Sequence, residues 1–265
     1  MNIHFYKYQG TGNDFIMIDD REKTFPASDT GLITRLCDRR FGIGADGLIL
    51  LQPHPTSDFY MQYFNSDGRE SSMCGNGGRC IVAFARYLKV IHHQTRFTAI
   101  DGLHEATINQ ERVELKMSDV QTIERRSYNT FVLDTGSPHY VEFRNDDIDS
   151  IDIVTPARTV RYNTEFKANG INVNFVNALG PDSIHIRTYE RGVEDETLSC
   201  GTGVTAASIA LALRNNDLPG SYTIHVRVMG GWLEVSYTIQ PDTHSATDIW
   251  LKGPAQFVFD GKMEI

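Results

Sequence analysis

Two short stretches share one pattern, SSMCGNGGR at residues 71–79 and TLSCGTGVT at residues 197–205. Each places a cysteine, Cys74 or Cys200, before a glycine, a polar residue and a second glycine. Small and apolar residues follow each cysteine, in GGRCIVAFARYL and GVTAASIALAL, a pattern typical of a helix. Because these helices are apolar on nearly every side, we expect both to be buried on every side.

The sequence pattern around these cysteines occurs twice in the chain. With the second cysteine placed on the first, an offset of 126 residues (200 − 74), Gly170 falls on Gly44, and each opens a short apolar run. A strand-like segment precedes each cysteine, DFYMQYF at 58–64 and SIHIRTY at 183–189. Several ordered matches in one register indicate an internal duplication into two similar domains.

The pattern predicts an α+β fold of two pseudo-symmetric domains. Each is expected to be a curved, mostly antiparallel β-sheet wrapped around a central buried helix, with the active site in the interdomain cleft. The N-terminal domain spans residues 1–120 and carries the first cysteine, and a C-terminal strand at 254–265 returns to it. The C-terminal domain spans residues 121–253 and carries the second cysteine.

Composition and charge argue against several classes of protein. The 265 residues, 40% hydrophobic and 22% charged, are typical of a globular chain with room for two domains. A formal net charge of −9, without a run of Lys or Arg, argues against nucleic acid as a partner. No apolar run approaches the roughly 20 residues that span a bilayer, and the start lacks the apolar stretch of a signal peptide. We therefore expect a cytoplasmic protein without membrane contact.

The four cysteines form neither a metal pattern nor a disulfide framework. They contain no Cys-x-x-Cys pair and no His partner at zinc-ligand spacing, so we predict no metal site. Cys37 and Cys80 lie in helix-like apolar patterns and are interpreted as buried structural thiols. Pyridoxal phosphate is not excluded by the sequence, but no lysine occupies a comparable site, which favours chemistry without a cofactor.

A cysteine at the start of a buried helix is placed for acid–base chemistry. The glycines that follow it expose backbone N–H groups at the positive end of the helix, which favours a reactive thiolate and can hold a carboxylate. Two such thiols on opposite faces of one α-carbon would invert it, because one removes the proton and the other delivers a proton. We therefore predict an amino-acid racemase or epimerase, with Cys74 and Cys200 as acid and base.

Several motifs, in order, resemble the diaminopimelate epimerase family. They are GTGNDF at 10–15, FNSDG at 64–68, CGNGGRC at 74–80, NVNFV at 172–176, and ERG at 190–192 followed by CGTG. The resemblance runs from about residue 5 to GPAQFVFDG near the C-terminus. It implies cofactor-independent conversion of LL-2,6-diaminopimelate to the meso isomer in lysine and peptidoglycan precursor biosynthesis, by a homodimer. It gives the acid/base roles to the same two cysteines.

The resemblance also implies the residues that hold the substrate. Backbone donors for the carboxylate at the reacting carbon are expected at Gly75, Asn76, Gly201 and Thr202. Further substrate contacts are expected at Asn13, Asn65, Asn172 and Arg191, the last suited to a bidentate grip on the distal carboxylate. Glu190 would contact a substrate ammonium group and tune the thiols, and His139 would modulate the same thiols.

Each of these side chains also has an ordinary structural interpretation. Without the resemblance, Asn13 and Asn65 are turn formers. Glu190 and Arg191 would be a solvated surface pair, and His139 a structural histidine.

Two positions depart from the family's usual pattern. Ser137 stands where the family commonly has Asn, and its single hydroxyl cannot offer both an amide donor and an amide acceptor. Gly47 stands where the family often has Gln, which removes one side-chain contact. Both departures concern contacts to the distal part of the substrate, not the thiols.

Three alternatives stay open at this level. A proline or hydroxyproline racemase uses the same paired-cysteine logic, but a proline ring has no second carboxylate for Arg191 to hold. A relative of the phenazine-biosynthesis isomerases is less favoured, because those lack the cysteine pair. A non-catalytic amino-acid-binding protein is disfavoured by intact cysteines at both helix starts. The sequence does not indicate which cysteine is the thiolate at rest.

Overall fold

The computed structural model describes residues 2–215, 219–241 and 245–264. The chain divides into two compact units, a first unit of Met1–Leu115 with Gly253–Ile265 and a second unit of Lys116–Lys252. It thus passes from the first unit to the second after Leu115 and returns after Lys252, where the sequence suggested 120 and 253. No helix in the described ranges is both long enough and apolar enough to cross a membrane.

The elements of the first unit are, in chain order, β1 (Asn2–Gly10), β2 (Asn13–Asp19), α1 (Thr30–Cys37), β3 (Gly47–Gln52), β4 (Tyr60–Asn65), β5 (Glu70–Ser71), α2 (Gly75–Tyr87), β6 (Gln94–Ala99), β7 (Gly102–Asn109), β8 (Arg112–Lys116) and the C-terminal β18 (Gln256–Glu264). Strand β1 pairs antiparallel with both β18 and β2. Strand β2 then pairs parallel with β3, β3 antiparallel with β4, and β4 parallel with β6. Strands β6, β7 and β8 continue antiparallel.

The elements of the second unit are β9 (Ile123–Arg125), β10 (Thr130–Asp134), β11 (Pro138–Phe143), a 3-10 helix (Ile148–Ser150), α3 (Val154–Arg161), β12 (Asn172–Ala178), β13 (Ser183–Glu190), β14 (Asp195–Thr197), α4 (Gly201–Arg214), β15 (Gly220–Val228), β16 (Gly231–Ile239) and β17 (Ala246–Pro254). Strand β10 pairs antiparallel with β9 and β11. Strand β11 pairs parallel with β12, β12 antiparallel with β13, and β13 parallel with β15. Strands β15, β16 and β17 continue antiparallel.

The order of strand pairing is therefore the same in both units. In each, the first parallel pair is joined through a short helix, α1 or α3, as a parallel connection requires a crossover. The place that β9 takes beside β10 is taken in the first unit by β18 beside β1. Mixed sheets with few helices, arranged twice in one order, confirm the predicted α+β class.

Helices α2 and α4 lie inside their units. Ten of the 13 residues of α2 and eleven of the 14 of α4 are buried, as expected for helices that are apolar all round. Helix α2 contacts β1, β2, β3, β7 and β18, and α4 contacts β10, β11, β12, β13, β15 and β16. Strands thus surround each helix, and the N-terminus of each helix is where its cysteine lies.

The short helices cover another face of the strands. In the first unit, Leu32, Ile33 and Leu36 of α1 form a core cluster with Ile16 of β2 and Leu48 of β3. In the second unit, Ala157 of α3 forms the equivalent cluster with Val173 and Phe175 of β12 and Tyr189 of β13. Burying both faces of these central strands fixes their register, because a shift by one residue would expose apolar side chains.

Candidate active site

Cys74 is the N-cap of α2. Its extended backbone (φ −99°, ψ 146°) turns the chain into the helix, and its Sγ accepts a hydrogen bond from the Gly77 N–H at 3.2 Å. A Cβ on Gly77 would lie 3.2 Å from that sulfur and 3.1 Å from Ile49 Cδ1, so glycine allows the close packing of this turn. A backbone N–H aimed at the sulfur, at the positive end of a helix, favours the thiolate.

Cys200 is the N-cap of α4, also with extended backbone (φ −119°, ψ 110°). Its Sγ lies 3.4 Å from Thr202 Oγ1, and either atom can be the donor, so the contact suits both the thiol and the thiolate. The Thr202 carbonyl accepts a hydrogen bond from Thr135 Oγ1 at 2.8 Å, and the Gly201 carbonyl accepts one from Thr205 Oγ1 at 3.0 Å. The first turn of α4 is therefore held by Thr135 from outside the helix and by Thr205 from within it.

Two of the predicted asparagines of the first unit, Asn13 and Asn76, meet at the start of α2. Asn76 Nδ2 donates to Asn13 Oδ1 at 3.2 Å, and Asn13 Nδ2 donates to Asp46 Oδ2 at 2.6 Å. Asn76 Oδ1 accepts from Arg79 Nη2 at 3.0 Å. Both amides are thereby oriented, because Asp46 accepts from one end of this hydrogen-bonded series and Arg79 donates to the other. Gly75 opens the helix in the same turn.

A group of ion pairs supports this asparagine chain. Asp14, next to Asn13, forms ion pairs with Lys7 at 2.8 Å and with Arg39 at 2.7 Å, and Arg39 also reaches Asp46 at 2.8 Å. Burial alone would raise the pKa of Asp14, but the hydrogen bonds from Arg39 and Lys7 outweigh it and hold the pKa at about 2. Asp14 is therefore a carboxylate at neutral pH, and it fixes the turn that presents Asn13.

Asn65 and Gly47 are paired opposite each other on β4 and β3. The side chain of Asn65 is exposed at the end of its strand. A Cβ on Gly47 would lie 2.5 Å from the Phe64 carbonyl oxygen and 2.6 Å from the ring of Tyr63. The Tyr63 ring thus fills the space that a side chain at position 47 would need, which is the physical reason for glycine there.

Three predicted residues of the second unit come together at Ser137. Its hydroxyl accepts from Asn172 Nδ2 at 2.8 Å and from Arg191 Nη2 at 3.3 Å. Asn172 Oδ1 accepts the backbone N–H of Arg191 at 2.8 Å. Gly170 has a positive φ of 75°, which favours glycine. A Cβ on it would lie 2.5 Å from Arg191 Cδ, so only glycine leaves room for the arginine side chain to pack against the backbone here. Arg191 Nη1 also donates to the Asn169 carbonyl at 3.0 Å, so Ser137 and Asn169 set the direction of the exposed guanidinium while Asn172 holds its backbone.

Glu190 is the last residue of β13 and is partly exposed. It pairs across the ladder with Asp195, and its carbonyl oxygen accepts the Glu194 N–H at 2.8 Å, which closes the turn that follows the strand. Arg191 is the next residue, so the two predicted substrate-binding charges leave the strand side by side.

His139 is fully buried on β11. Its Nδ1 lies 3.1 Å from Asn174 Nδ2, and its Nε2 lies 3.5 Å from Asn172 Nδ2. Burial lowers the pKa of His139 to about 3, and the nearby Arg191 charge adds to this, against the opposing hydrogen bond with Asn174. A Cβ on Gly203 would lie 3.3 Å from His139 Cε1, so a neutral imidazole packs against the first turn of α4.

Several polar residues at these helix starts were not among the predicted site residues. They are Asp14, Asp46, Arg79, Asn174 and Thr188. A signal was present for four of them: Asp14 lies inside the GTGNDF motif, Asn174 lies inside the NVNFV motif, Asp46 follows the repeated glycine turn, and Arg79 is a charge within an apolar helix. Thr188 gave none, because alternation in a strand does not show which inward residue meets a polar neighbour. Among the described residues, no group of three or more His, Cys, Asp or Glu side chains could hold a metal ion.

Each unit therefore presents the same chemical device. A cysteine lies at the N-terminus of a buried helix, followed by backbone N–H groups that can bind a carboxylate. The surrounding side chains differ: amides fixed by ion pairs in the first unit, and a serine, a neutral histidine and an exposed guanidinium in the second. The device suits proton transfer at a carbon next to a carboxylate.

Solved structures with this fold include two kinds of protein. A phenazine biosynthesis protein of the PhzF family from Bacillus anthracis covers 100% of both chains with a TM-score of 0.77 and 14% identity. A probable proline racemase from Agrobacterium radiobacter covers 99% of this chain and 92% of that one, with a TM-score of 0.67 and 16% identity. At such identities the likeness concerns the fold alone.

Sequence comparison is more specific. The sequence profile described as diaminopimelate epimerase matches residues 5–123 and 131–258. A diaminopimelate epimerase of Flavobacterium psychrophilum is 52% identical over 259 residues, which cover 97% of this chain and 99% of the relative. That of Chlorobaculum tepidum is 40% identical over 264 residues, with 97% and 99% covered. The chain therefore belongs to the diaminopimelate epimerase family.

Proposed function

We propose that this chain interconverts LL- and meso-diaminopimelate without a cofactor, by a two-base mechanism in which Cys74 and Cys200 are the acid and base. Family membership and the names of its relatives support the reaction. One structural observation carries the mechanism: cysteine is the N-cap of both equivalent buried helices.

The proton balance of the proposed reaction is simple. One cysteine, as thiolate, accepts the α-proton from one face of the carbon and becomes a thiol. The other, as thiol, gives its proton to the opposite face and becomes the thiolate. The electron pair left on the α-carbon is delocalised into the adjacent carboxylate, which the N–H groups that open the two helices stabilise. Gly75 and Asn76, with Gly201 and Thr202, would supply these donors.

The remaining predicted residues would hold the rest of the substrate. Arg191, directed by Ser137 and Asn172, would bind the distal carboxylate. Glu190 would contact a substrate ammonium group. Asn13, fixed by Asp46, and the exposed Asn65 would complete the site in the first unit. His139 would act as a neutral group that shapes the surroundings of Cys200, since its low pKa excludes the cation near pH 7.

We also propose a cytoplasmic homodimer of two similar domains per chain. A reducing compartment keeps the paired thiols active. Phe257, Val258 and Phe259 of β18 are each about half exposed, and a contact with a second copy of the chain would bury these apolar side chains. Light scattering should give twice the chain mass of 29.8 kDa.

Substitution of single cysteines tests the proposed reaction. Cys74→Ala and Cys200→Ala should each lower epimerisation of LL-diaminopimelate by at least about 10²-fold, since a positioned acid or base contributes 10²–10⁴-fold. Cys37→Ala is the matched control and should keep activity, because burial raises the pKa of that thiol to about 12 and so keeps it protonated and unreactive. Racemisation of L-proline by the wild type, with no action on diaminopimelate, would overturn the assignment.

A further inference from the structure

Arg79 is a cation inside the first unit. It is the largest fully buried side chain of the described residues, and it lies on α2 beyond Cys74. Its hydrogen-bond acceptors are all uncharged: Gly75 O at 3.2 Å, Thr11 Oγ1 at 3.1 Å, Asn76 Oδ1 at 3.0 Å and Pro254 O at 3.4 Å. A buried charge is costly unless an opposite charge is near. The groups near Arg79 that can become anions are therefore the ones that could stabilise its charge.

The groups of opposite potential charge near Arg79 are thiols. Arg79 donates to the Gly75 carbonyl and to the Asn76 side chain, the two residues that follow Cys74. Cys80 is its neighbour along α2. Burial lowers the pKa of the Arg79 guanidinium, and the interactions that oppose this come from Cys80 and then Cys74. Cys80 is fully buried, and burial raises the pKa of its thiol far above the usual range, so it stays protonated. Cys74 is only partly buried, and its sulfur accepts the Gly77 N–H. The Cys74 thiolate is thus the anion that suits Arg79.

The second unit lacks this charge at the equivalent position. With the offset of 126 residues, Thr205 corresponds to Arg79. Thr205 Oγ1 donates to the Gly201 carbonyl at 3.0 Å, just as Arg79 Nη1 donates to the Gly75 carbonyl at 3.2 Å. The hydrogen bond to the first turn is therefore the same in both helices, whereas the buried positive charge is present in α2 only.

Other charged groups near the two helix starts do not remove this difference. Beside α2, Asp14 is paired with Lys7 and Arg39. Asp101, which accepts the Met73 N–H, is paired with His104. Asp14 therefore lies between two cations, and each of the two carboxylates has hydrogen-bond partners of its own.

Beside α4, the buried histidine, His139, is neutral near pH 7. Arg191 is exposed and Glu190 partly exposed, so water screens their charges. The buried charge of Arg79 is not screened in this way.

We propose that Arg79 makes Cys74 the resting thiolate, with Cys200 as the thiol, in the free enzyme. The inference rests on the proposed function in that both thiols take part in the reaction. Arg79 is a positioning residue: it orients Asn76, binds the Gly75 carbonyl and supplies a fixed charge. The free enzyme then removes the α-proton from the face that Cys74 contacts, and Cys200 protonates the other face.

Alkylation of each thiol as a function of pH tests this assignment. Iodoacetamide is applied between pH 5 and 9, and modification of each cysteine is followed by peptide mass spectrometry. The pH midpoint of each profile is compared, because it does not depend on access to the sulfur. We expect the Cys74 midpoint to lie below that of Cys200 by about one pH unit or more.

Variants at position 79 separate charge from packing. Arg79→Gln should raise the Cys74 midpoint and slow its alkylation at pH 7 roughly tenfold, while Arg79→Lys should restore most of it. The Cys200 midpoint should not move in either variant. Thr205→Val, the matched change in α4, should leave the Cys74 midpoint unchanged.

The outcomes are decisive even if Arg79→Gln does not fold, since the order of the two midpoints in the wild type stands alone. A lower midpoint for Cys200, or equal shifts of both thiols in Arg79→Gln, would overturn the inference and leave the epimerase assignment intact. Lack of epimerase activity in the wild type would instead contradict the proposed function, whatever the order of the two alkylation midpoints.

Discussion

At the start of α4, a buried histidine is kept neutral by its surroundings. His139 lies between Asn172 and Asn174, and Asn174 Oδ1 accepts the hydroxyl of Thr188 at 3.0 Å. The Asn174 amide hydrogen-bonds one ring nitrogen without offering a counter-charge, so desolvation dominates and the imidazole stays unprotonated. The first turn of α2 contacts the cation of Arg79 instead.

The low pKa of His139 makes stability fall in acid. The unfolded chain binds a proton near pH 6.5, whereas the folded state does so only near pH 3, so stability is lost as pH falls between these values. From pH 7 to pH 5 this group should lower the free energy of unfolding by about 2 kcal/mol. Urea unfolding at both pH values should show a smaller loss in His139→Gln. An equal loss in both proteins would contradict the buried neutral state.

The two cysteines could be predicted from sequence because they occur in a repeated frame with glycines that only a helix start explains. Arg79 could not be interpreted in the same way. A single charge in an apolar helix is as compatible with a surface position as with a buried one, and only packing shows that no water reaches it. Ser137 was expected to alter contacts to the distal part of the substrate, and its hydroxyl joins Asn172 to Arg191.

On the scale of elements, the first turns of α2 and α4 have the same shape but different neighbours. A Cβ on Gly77 would meet apolar side chains of β3 and β4, Ile49 Cδ1 at 3.1 Å and Met61 Cε at 3.4 Å. A Cβ on Gly203 would meet Asn174 Oδ1 at 2.5 Å and Thr188 Oγ1 at 3.4 Å. The first turn of α2 thus packs against apolar side chains, whereas the first turn of α4 packs against polar side chains.

Gly203→Ala should be destabilising despite the higher helix propensity of alanine. Asn174 is held by His139, Tyr140 and Thr188 and cannot move cheaply, so overpacking should cost about 1–3 kcal/mol. Thermal or urea unfolding measures this cost.

Gly31→Ala in α1 is the matched control. Its Cβ would meet only Asp29 Oδ1, at 3.4 Å, so stability should be unchanged or rise by up to about 1 kcal/mol. Equal effects of the two substitutions would show that the packing at Gly203 is not as described.

The helices that follow the cysteines were predictable because their apolar residues leave no polar face. A C-terminal strand was expected at 254–265, and the structure has β18 at Gln256–Glu264. Its partner could not be read from local pattern alone, because pairing across 250 residues depends on the whole topology. The matching positions of β18 and β9 became visible only when both units were compared strand by strand.

On the scale of the whole molecule, the first unit is completed by the end of the chain. Strand β18 pairs with β1 from Asn2 opposite Glu264 to Gln9 opposite Gln256. Phe259 packs edge-on against Phe5 at 6.0 Å between ring centroids, and Phe257 stacks on Tyr87 at 5.9 Å. The two units therefore share the same strand pairing, although β18, which pairs with β1, comes from the C-terminal end and β9, which pairs with β10, comes just before it in the sequence.

Removal of residues 256–265 should loosen the first unit selectively. The β1 edge would lose its partner, so Cys37 and Cys80, both buried there, should react with a thiol reagent faster than in the full chain. Both tryptophans, Trp232 and Trp250, lie in the second unit, and their fluorescence should still report cooperative unfolding. Unchanged protection of both thiols would show that β18 is dispensable for this core.

The central claim is that two thiols act on opposite faces of one carbon, and early hydrogen exchange tests it most directly. LL-diaminopimelate is incubated with the enzyme in deuterated water, and both isomers are isolated at low conversion. The account predicts one deuterium in the meso product, at the inverted α-carbon, and none in the remaining LL substrate, because the thiol that donates carries solvent deuterium. Label in the LL pool at the same rate as in the product, or protium retained at the inverted carbon, would contradict it.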